Sequence, residues 1–373
     1  MSVHTVICGL GACLPERVVT NADLAARLDT SDDWIRTRTG IHRRRVVEPG
    51  TSTGDLAVSA GLAAMESGGL EADFVLLATT TPDRPCPATA PEVAHRLGLE
   101  EVPAVDVAAV CSGFVYALAL ADALLKAGTC ERPLVIGAEV YTSIIDPQDR
   151  DTAVIFGDGA GAVLLRRGRR GEPGAVRAVD LGSAGAGSDL ITVAVGGSRH
   201  PGRDEEVPPE QRYFRMQGRE VYRQAIHRMT VSARSVLDRA GWQPPTVRAF
   251  IGHQANQRIL DSVSDRLGIA ARYRYGNIAE VGNTAAASIP LALADAAADG
   301  RIRPGSPTVL TAFGGGLTWG SAAVTWPDAV PVYLPPKTPT ACRGPQPADE
   351  SVPAQRNPLP WRLPASIESP QVP

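Results

Sequence analysis

The sequence predicts a layered α/β fold. Short apolar runs of strand length alternate with longer stretches whose apolar residues recur at helical spacing. Gly, Pro, Ser or Asp stands at most boundaries between them, as is usual at turns and helix ends. With 373 residues, 44% of them hydrophobic, the chain can bury one large core or two medium ones. Strands that alternate with helices favour sheets whose faces are covered by helices.

The first half of the chain predicts a regular order of elements. Ser52, with Asp55 three residues on, forms a capping box that predicts the start of a helix. Further along, Gly128 ends a helix rich in alanine and leucine. The predicted elements are strand 5–9, helix 52–67, strand 73–80, strand 102–108, helix 112–126, strand 133–140 and strand 161–166.

The second half begins near residue 175 and continues the alternation. Its longest predicted helix, 218–240, carries small and apolar residues at helical spacing, which indicates one face packed on a core. The other predicted elements are strand 247–252, a helix from about 256, a helix from 284 to about 299, and strands 308–313 and 319–325. Residues 331–373 contain 12 prolines and show no helical or strand period, so we expect a Pro-rich disordered tail.

Composition excludes several classes of protein. A formal net charge of −3 argues against nucleic acid as the main partner. We expect neither a membrane span nor a signal peptide, because charges interrupt every long apolar run and no basic leader precedes one. The six cysteines show no paired CxxC spacing, which fits a reduced compartment and predicts no metal site. We therefore expect a cytoplasmic protein.

Cys111 lies where a predicted buried strand gives way to an apolar helix. At such a turn the N–H groups and the positive end of the helix dipole face the sulfur. This environment favours thiolate over thiol and predicts a nucleophile near neutral pH. A buried structural cysteine is the alternative, and it is the commoner role of a lone cysteine.

Two more polar residues stand at predicted element boundaries. His253 ends a strand and Asn283 directly precedes a helix. Alone, the first has an ordinary interpretation as a core histidine and the second as a helix cap. Together with Cys111 they make a Cys/His/Asn set. Papain-like proteases also use such a set, but the residues around Cys111 lack their local motif.

Six motifs extend in order from the N-terminal to the C-terminal part of the chain, and three of them contain these residues. They are SDDWIRTRTGI (31–41), DVAAVCSGF (106–114), FGDGAGA (156–162), HQAN (253–256), GNT (282–284) and AFGGGLTWGS (312–321). In order and spacing they resemble the β-ketoacyl-acyl-carrier-protein synthase III family of thiolase-like condensing enzymes. The resemblance implies a five-layered αβαβα fold built from two similar halves, residues 1–170 with the nucleophilic cysteine and residues 171–330 with the histidine and asparagine.

The resemblance also implies a decarboxylative Claisen condensation. Cys111 would hold an acyl starter as a thioester. His253 and Asn283 would donate hydrogen bonds to the oxygen on which negative charge builds as carbon dioxide leaves. The oxyanion hole would be formed by the backbone N–H groups of Cys111 and Gly315, for which an ordinary glycine turn is the alternative interpretation.

Further positions match those that bind substrate in the family. The substrates implied are acyl-CoA and malonyl-acyl-carrier protein, with no bound cofactor, and the implied assembly is a homodimer. The nucleotide end of coenzyme A would lie against a tryptophan and two arginines, and a basic rim would face the acidic carrier protein. The matching residues for the tunnel and rim are Trp34, Arg38, Arg150, Gly218, Arg223, Asn256, Arg258 and Arg266.

Cys86 departs from the family pattern. Many members carry a large aromatic residue there, which reaches across a dimer interface and closes the partner's acyl pocket. A cysteine leaves more room, so we expect a starter longer or bulkier than acetyl. The alternative is that a neighbouring side chain refills the space, because protein interiors pack tightly.

Three functions remain in competition at this level. The first is the condensing enzyme, which would act in fatty-acid initiation or polyketide priming. The second is an acyltransferase that moves the acyl group from Cys111 to a hydroxyl, an amine or a carrier protein, with His253 as general base. The third, a scaffold without activity, is disfavoured because Cys111, His253 and Asn283 are all present.

Overall fold

Two large sheets form the framework of the protein. The computed structural model describes residues 3–202 and 207–337. The strands are β1 (His4–Cys13), β2 (Val18–Thr20), β3 (Arg43–Arg45), β4 (Phe74–Ala78), β5 (Ala104–Val107), β6 (Pro133–Glu139), β7 (Gly159–Gly168), β8 (Val176–Ser183), β9 (Ile191–Val193), β10 (Phe214–Met216), β11 (Ala249–Gly252), β12 (Pro307–Gly314), β13 (Thr318–Thr325) and β14 (Val332–Tyr333).

The two large sheets take most of their strands from different parts of the chain. The first has six strands in the order β14-β1-β7-β6-β4-β5, and the second has four in the order β11-β12-β13-β8. β4 runs parallel to β5 and β6, whereas β7 is antiparallel to β1 and β6. In the second sheet β11 is parallel to β12, and the other pairs are antiparallel. Residue 170 lies in the loop between β7 of the first sheet and β8 of the second.

The helices follow the sequence signals at their ends. The Ser52–Asp55 capping box is present, with the Ser52 side chain accepting from Asp55 N–H and the Asp55 side chain accepting from Ser52 N–H. Gly128 ends its helix in the left-handed conformation that glycine tolerates best. The helices are α1 (Asn21–Ala25), α2 (Asp32–Thr39), α3 (Thr53–Gly68), α4 (Ala90–Arg96), α5 (Gly113–Ala127), α6 (Gly218–Ala240), α7 (Gln257–Leu267), α8 (Ile278–Val281) and α9 (Ser288–Ala298).

The layers alternate helix, sheet, helix, sheet, helix, as the resemblance implied. One apolar cluster joins both sheets to α5 and α9, for instance through Leu118 of α5 and Leu293 of α9, so these helices form the middle layer. Helices α3 and α4 cover the outer face of the first sheet. Helices α6 and α7 cover the outer face of the second. The described residues pack as one unit because the middle layer belongs to both sheets.

Helix α5 and the turn before it, Val110–Ala127, form a segment that is long and apolar enough to cross a membrane by length and composition alone. Its position explains this composition. The helix is packed between two sheets, so Phe114, Val115 and Ala121 have no contact with water. A helix buried on opposite faces is apolar around most of its circumference.

The prediction of a disordered tail from residue 331 is wrong for its first seven residues, 331–337. β14 pairs in parallel with β1, and Leu334 N–H donates to Ala12 O at 3.0 Å. The Tyr333 hydroxyl donates to Asp295 at 2.6 Å. Edge strands tolerate flanking proline, so proline content alone could not exclude a strand here. The rest of the predicted tail, residues 338–373, lies outside the described residues.

Candidate active site

Cys111 lies in a tight turn of 3-10 helix, Val110–Ser112, directly before α5. The residue before it, Val110, has a φ of 47°, a conformation that β-branched residues rarely adopt. The Ser112 hydroxyl secures the turn by donating to Ala109 O at 2.8 Å. Strain of this kind persists only where the surrounding structure enforces it, and it often occurs at functional sites.

Burial raises the pKa of the Cys111 thiol above its ordinary value, and the nearby Glu139 carboxylate raises it further. The expectation of a thiolate near neutral pH was therefore wrong for the free protein. A helix N-terminus contributes only about 0.3–1 kcal/mol, whereas desolvating a charge can shift a pKa by several units. The raised pKa favours the neutral thiol of Cys111 in the free protein.

His253 directly follows β11 and is buried, with its backbone N–H donating to Thr311 O at 2.8 Å. Its ring Nδ1 lies 2.7 Å from the Ser288 hydroxyl at the start of α9. Burial lowers the pKa of His253 to about 3, so the ring is neutral at physiological pH. A neutral imidazole with one nitrogen engaged by Ser288 can donate a hydrogen bond from the other.

Asn283 is buried in the loop before α9, and backbone hydrogen bonds on both sides fix its position. Its N–H donates to Ile155 O, and Gly157 N–H donates to its carbonyl, both at 3.0 Å. Its side-chain oxygen accepts from Ala285 N–H at 2.9 Å. The side-chain NH₂ therefore keeps its donors for a ligand, and Asn283 lines a cavity.

The three predicted residues belong to elements that meet. Cys111 packs against an apolar cluster that contains Ala285, two residues after Asn283. Strand β12 connects His253 to Cys111, because Thr311 bonds to His253 and Gly314 lies against the Cys111 turn. Thr311 and Gly314 are three residues apart, a span of about 10 Å along a strand. The structure thus brings the predicted set to one region between the two sheets.

The glycine loop after β12 contacts the Cys111 turn through its backbone. A Cβ on Gly314 would lie 2.9 Å from Cys111 N, so only glycine allows this approach. The Thr318 hydroxyl fixes the loop by donating to Gly315 O at 2.9 Å. Within the described residues, the N–H groups of Cys111 and Gly315 donate to no other residue. Both are available to an external oxygen.

A cavity of about 330 Å³, here called the tunnel cavity, leads away from Asn283. It brings together five of the residues predicted to bind coenzyme A, namely Trp34, Arg38, Gly218, Asn256 and Arg258. Arg150 lies beside it, with its guanidinium 5.1 Å from the Trp34 ring centre. The Arg38 guanidinium lies 5.6 Å from the same ring. One aromatic ring and two cations therefore lie together at the cavity, and Asn283 lines it as well.

Other predicted residues lie apart from the tunnel cavity. Arg223 is exposed and paired with Glu220 at 2.6 Å, which neutralises much of its charge. Arg266, in the last turn of α7, does not line the cavity. Cys86 is exposed in the loop between β4 and α4 and has no disulfide partner among the described cysteines.

A second cavity of about 530 Å³, here called the acyl cavity, borders the Cys111 turn. Val110 is common to the turn and the cavity wall. Most of the remaining wall is apolar, with Pro82, Pro85, Ile144, Ile191, Val193, Val195 and Phe214 among its residues. Cys86 is adjacent to Pro85 but does not line this cavity within the described protomer.

Comparison with known proteins identifies the family. Two models match: 3-oxoacyl-[acyl-carrier-protein] synthase III over residues 105–185, and the C-terminal part of the same enzyme over residues 237–326. Beta-ketoacyl-[acyl-carrier-protein] synthase III 2 of Streptomyces coelicolor is 59% identical over 88% of this chain and 95% of its own length. The chain belongs to the 3-oxoacyl-[acyl-carrier-protein] synthase III family.

Solved structures of the synthase III family agree with the fold. The enzyme from Pseudomonas aeruginosa PAO1 has a TM-score of 0.81 and 49% identity, covering 88% of this chain and 100% of that one. The priming β-ketosynthase of the R1128 polyketide pathway has a TM-score of 0.80 and 32% identity, covering 87% and 96%. The predicted family and thiolase-like fold are confirmed, and the chain is a condensing acyltransferase of the synthase III type.

The sequence did not single out three residues of this synthase III site. Ser288 holds the His253 ring, Glu139 is buried near Cys111, and Tyr141 lies on the wall of the acyl cavity. Ser288 stands five residues after Asn283, so its place at the start of a helix was the one available signal. Across residues 3–202 and 207–337, no three His, Cys, Asp or Glu side chains are grouped as metal ligands.

Proposed function

We propose that this synthase loads an acyl starter from acyl-CoA onto Cys111 and condenses it with malonyl-acyl-carrier protein. In the first step Sγ attacks the thioester carbonyl, the acyl–sulfur bond to coenzyme A breaks, and the Cys111 proton leaves on the coenzyme A thiol. In the second step the malonyl carboxylate leaves as carbon dioxide, and the resulting enolate carbon attacks the acyl carbonyl. Sγ departs, and a 3-oxoacyl-carrier protein is released to begin a fatty-acid or polyketide chain.

One observation carries this proposal: two neutral donors are held in fixed orientation beside the Cys111 turn. The backbone N–H of Ala285 fixes the Asn283 amide, and Ser288 fixes the His253 ring. Neutral hydrogen-bond donors stabilise the enolate oxygen as negative charge develops on it. No bound cofactor is needed for either step.

Plain acyl transfer fits this geometry less well. That reaction needs a general base to deprotonate the accepting hydroxyl or amine, and an effective base has a pKa near the working pH. Burial lowers the pKa of His253 to about 3, which makes it a poor base and leaves it suited to donation. Decarboxylation supplies the carbon nucleophile without a base.

Acyl loading can be tested by mass spectrometry of the intact protein after incubation with acetyl-, isobutyryl- and hexanoyl-CoA. We expect one acyl adduct on Cys111, absent from Cys111→Ala. The size of the acyl cavity and the exposed cysteine at position 86 favour the two larger starters over acetyl. Strict selection of acetyl would reject the expectation of a larger starter, and loading that persists in Cys111→Ala would reject the site.

Asn283→Asp separates the two half-reactions. The replacement keeps the side-chain shape but places negative charge where the enolate oxygen develops, so carbon dioxide release from malonyl-carrier protein should fall by 100-fold or more. Loading of Cys111, measured by intact mass, should persist. Release of carbon dioxide at the wild-type rate would refute the assigned role of Asn283.

The tunnel cavity is the proposed path of the pantetheine arm. Trp34, Arg38 and Arg150 would hold the nucleotide end of coenzyme A by stacking and phosphate contacts, and Arg258 with Asn256 would line the path inward. Arg150→Ala should raise the KM for acyl-CoA with little change in kcat. Arg301→Ala, which removes an exposed arginine paired with Asp299 outside this cavity, is the matched control.

The carrier protein would approach the same end of the tunnel. Its acidic surface would contact the exposed side of α6 and α7, where Arg223, Arg258 and Arg266 contribute positive charge. Because Arg223 is paired with Glu220, we expect it to contribute less than Arg258 to carrier binding. The measurement is KM for malonyl-carrier protein in Arg223→Ala and Arg258→Ala at two salt concentrations.

A homodimer would form along β5. This strand is the edge of the first sheet, and Val105 on it is 43% exposed. The neighbouring Asp106 carboxylate accepts from Thr89 and Ala90 N–H, which ties β5 to the end of the loop that contains Cys86. Pairing of two β5 edges would satisfy their free backbone groups and bring the two loops together. Val105→Asp should yield monomers in sedimentation analysis.

The free cysteines and the acyl-CoA substrate favour a cytoplasmic location.

A further inference from the structure

Tyr141 lies on the wall of the acyl cavity, in a shell of aromatic side chains. Its ring stacks on Phe156 with centroids 4.4 Å apart and meets Phe214 edge-on at 5.4 Å. The side chain is fully buried. Packing on two sides holds the ring, so the direction of its hydroxyl group is also fixed.

The Tyr141 hydroxyl has no hydrogen-bond partner among the described residues. Two other hydroxyls on the same wall form hydrogen bonds: Ser143 donates to Val140 O at 2.6 Å, and Thr81 donates to Glu139 at 2.8 Å. The Thr80 hydroxyl lies near Glu139 but forms no well-aligned bond. A buried donor without an acceptor destabilises the free protein. An acceptor supplied by a bound ligand would explain its presence here.

The hydroxyl is a donor at every working pH, because burial raises the pKa of Tyr141 well above its ordinary value. The charge of a Cys111 thiolate would raise that pKa further. Cys111 also packs against the cluster formed by Tyr141 and Phe156. An acyl chain attached to the sulfur therefore reaches the phenol within its first few carbons.

We infer that Tyr141 selects a starter that carries an oxygen on the third or fourth carbon of the acyl chain, a hydroxyacyl- or oxoacyl-CoA. The inference rests on the proposed function, because it needs Cys111 to carry the acyl group. The phenol donates to the substituent oxygen, and the apolar wall around it contacts the hydrocarbon part. A purely hydrocarbon starter fills the same space but leaves the phenol without a partner.

The test uses two pairs of thioesters of nearly equal shape. 3-Hydroxybutyryl-CoA is compared with isovaleryl-CoA, and 4-hydroxybutyryl-CoA with pentanoyl-CoA, each pair competing for Cys111 with intact-mass readout. We expect wild type to prefer the hydroxyacyl member of at least one pair about tenfold, since one buried hydrogen bond distinguishes the two. In Tyr141→Phe the preference should vanish while loading of the hydrocarbon member stays within about twofold.

A matched control removes a different tyrosine hydroxyl. Tyr116 donates to Gly182 O at 2.8 Å and lines neither cavity, so Tyr116→Phe should lower the melting temperature and keep the wild-type preference. Tyr141→Phe should leave the melting temperature unchanged or higher, because it removes an unpaired buried donor. A wild-type enzyme without preference in either pair, or a preference that survives in Tyr141→Phe, overturns the inference. Absence of any adduct on Cys111 instead rejects the proposed function.

Discussion

At the scale of single residues, the donor role proposed for His253 depends on which ring nitrogen carries the proton. The Ser288 hydroxyl accepts from Gln254 N–H at 3.3 Å and lies 2.7 Å from His253 Nδ1. Among the described residues its own hydrogen has no acceptor other than Nδ1. Ser288 therefore donates to Nδ1, which places the ring proton on Nε2 and leaves that nitrogen as the donor.

Ser288→Ala should impair condensation more than loading. Without the hydroxyl, the neutral ring can populate the tautomer with the proton on Nδ1, and that form cannot donate from Nε2. Complete loss of one oxyanion donor lowers kcat by about 10²–10³-fold. Because the wrong tautomer is only partly populated, we expect carbon dioxide release to slow by about tenfold or more. Loading measured by intact mass serves as the internal control. Equal slowing of both steps would contradict the positioning role of Ser288.

The raised pKa of Cys111 gives a second prediction at this scale. Burial and the Glu139 carboxylate both favour the neutral thiol, so alkylation of Cys111 by iodoacetamide should be slow at pH 7 and accelerate continuously toward pH 9. Glu139 itself has a pKa raised by burial to about 7, so its charge acts on the thiol mainly above that pH. Glu139→Gln should therefore react faster than wild type above pH 7 and converge with it below.

Alkylation must be measured separately at each cysteine, because Cys86 is exposed and reacts independently of Cys111. Peptide mass mapping after timed alkylation separates the two thiols, and Cys86 provides a rate comparison within each sample. Identical Cys111 rates in wild type and Glu139→Gln at pH 8.5 would show that the carboxylate does not act on the sulfur.

Single residues also show which features the sequence can indicate and which it cannot. Cys111, His253 and Asn283 were predicted because they stand at element boundaries and in motifs of the family. Tyr141 and Glu139 were not, since their effect comes from burial and from neighbours on other strands. The direction of the Cys111 pKa shift was predicted wrongly for the same reason. A turn before a helix is visible in sequence, but the extent of desolvation around it is not.

At the scale of elements, local signals located most of the fold. The capping box, the glycine after a helix and the helical spacing in residues 218–240 each predicted an element that the structure contains. The short strands β2, β3, β9 and β10 were not predicted, because three residues carry no usable period. β14 was mistaken for disorder, since its pairing with β1 is a contact between opposite ends of the chain.

The glycine loop after β12 offers a prediction at the element scale. In Gly314→Ala the new Cβ would meet backbone atoms of the Cys111 turn at 2.9–3.0 Å, and backbone cannot move aside cheaply. The turn and its N–H groups should shift, and loading of Cys111 should fall about 100-fold, the usual effect of a displacement near 1 Å. In Gly315→Ala the nearest atoms are side-chain carbons of Ile191 and Val110 at 3.1–3.3 Å, which can adjust.

The two glycine variants serve as a matched pair, because they add the same methyl group one residue apart. Loading rates by intact mass and melting temperatures should be measured for both. If Cys111 were loaded as fast in Gly314→Ala as in Gly315→Ala, the distinction drawn between backbone and side-chain contacts would be wrong.

At the scale of the whole molecule, the site lies where the two halves meet. The first half supplies Cys111 on the turn before α5, and the second supplies the turn Ala285–Ala287 before α9. Each turn contains a non-glycine residue with positive φ, Val110 at 47° and Ala285 at 45°. A turn with one positive-φ residue thus precedes both helices of the middle layer. Residue identity did not reveal this correspondence, because it is a likeness of backbone conformation.

The order of residues 331–337 leads to a prediction for the whole chain, tested by two truncations. A chain that ends after Val330 loses β14, the Tyr333 bond to Asp295 on α9 and the bond from Lys337 N–H to Ser59 on α3. With about 0.5–1.5 kcal/mol for each hydrogen bond, its melting temperature should fall by roughly 5 °C or more. A chain that ends after Lys337 keeps all of these contacts and should melt at a higher temperature than the chain that ends after Val330. Tyr333→Phe, which removes one bond, should fall between the two. If all three melted together, the first sheet would not depend on its last strand, and the contact between β1 and β14 would have no measurable effect on folding.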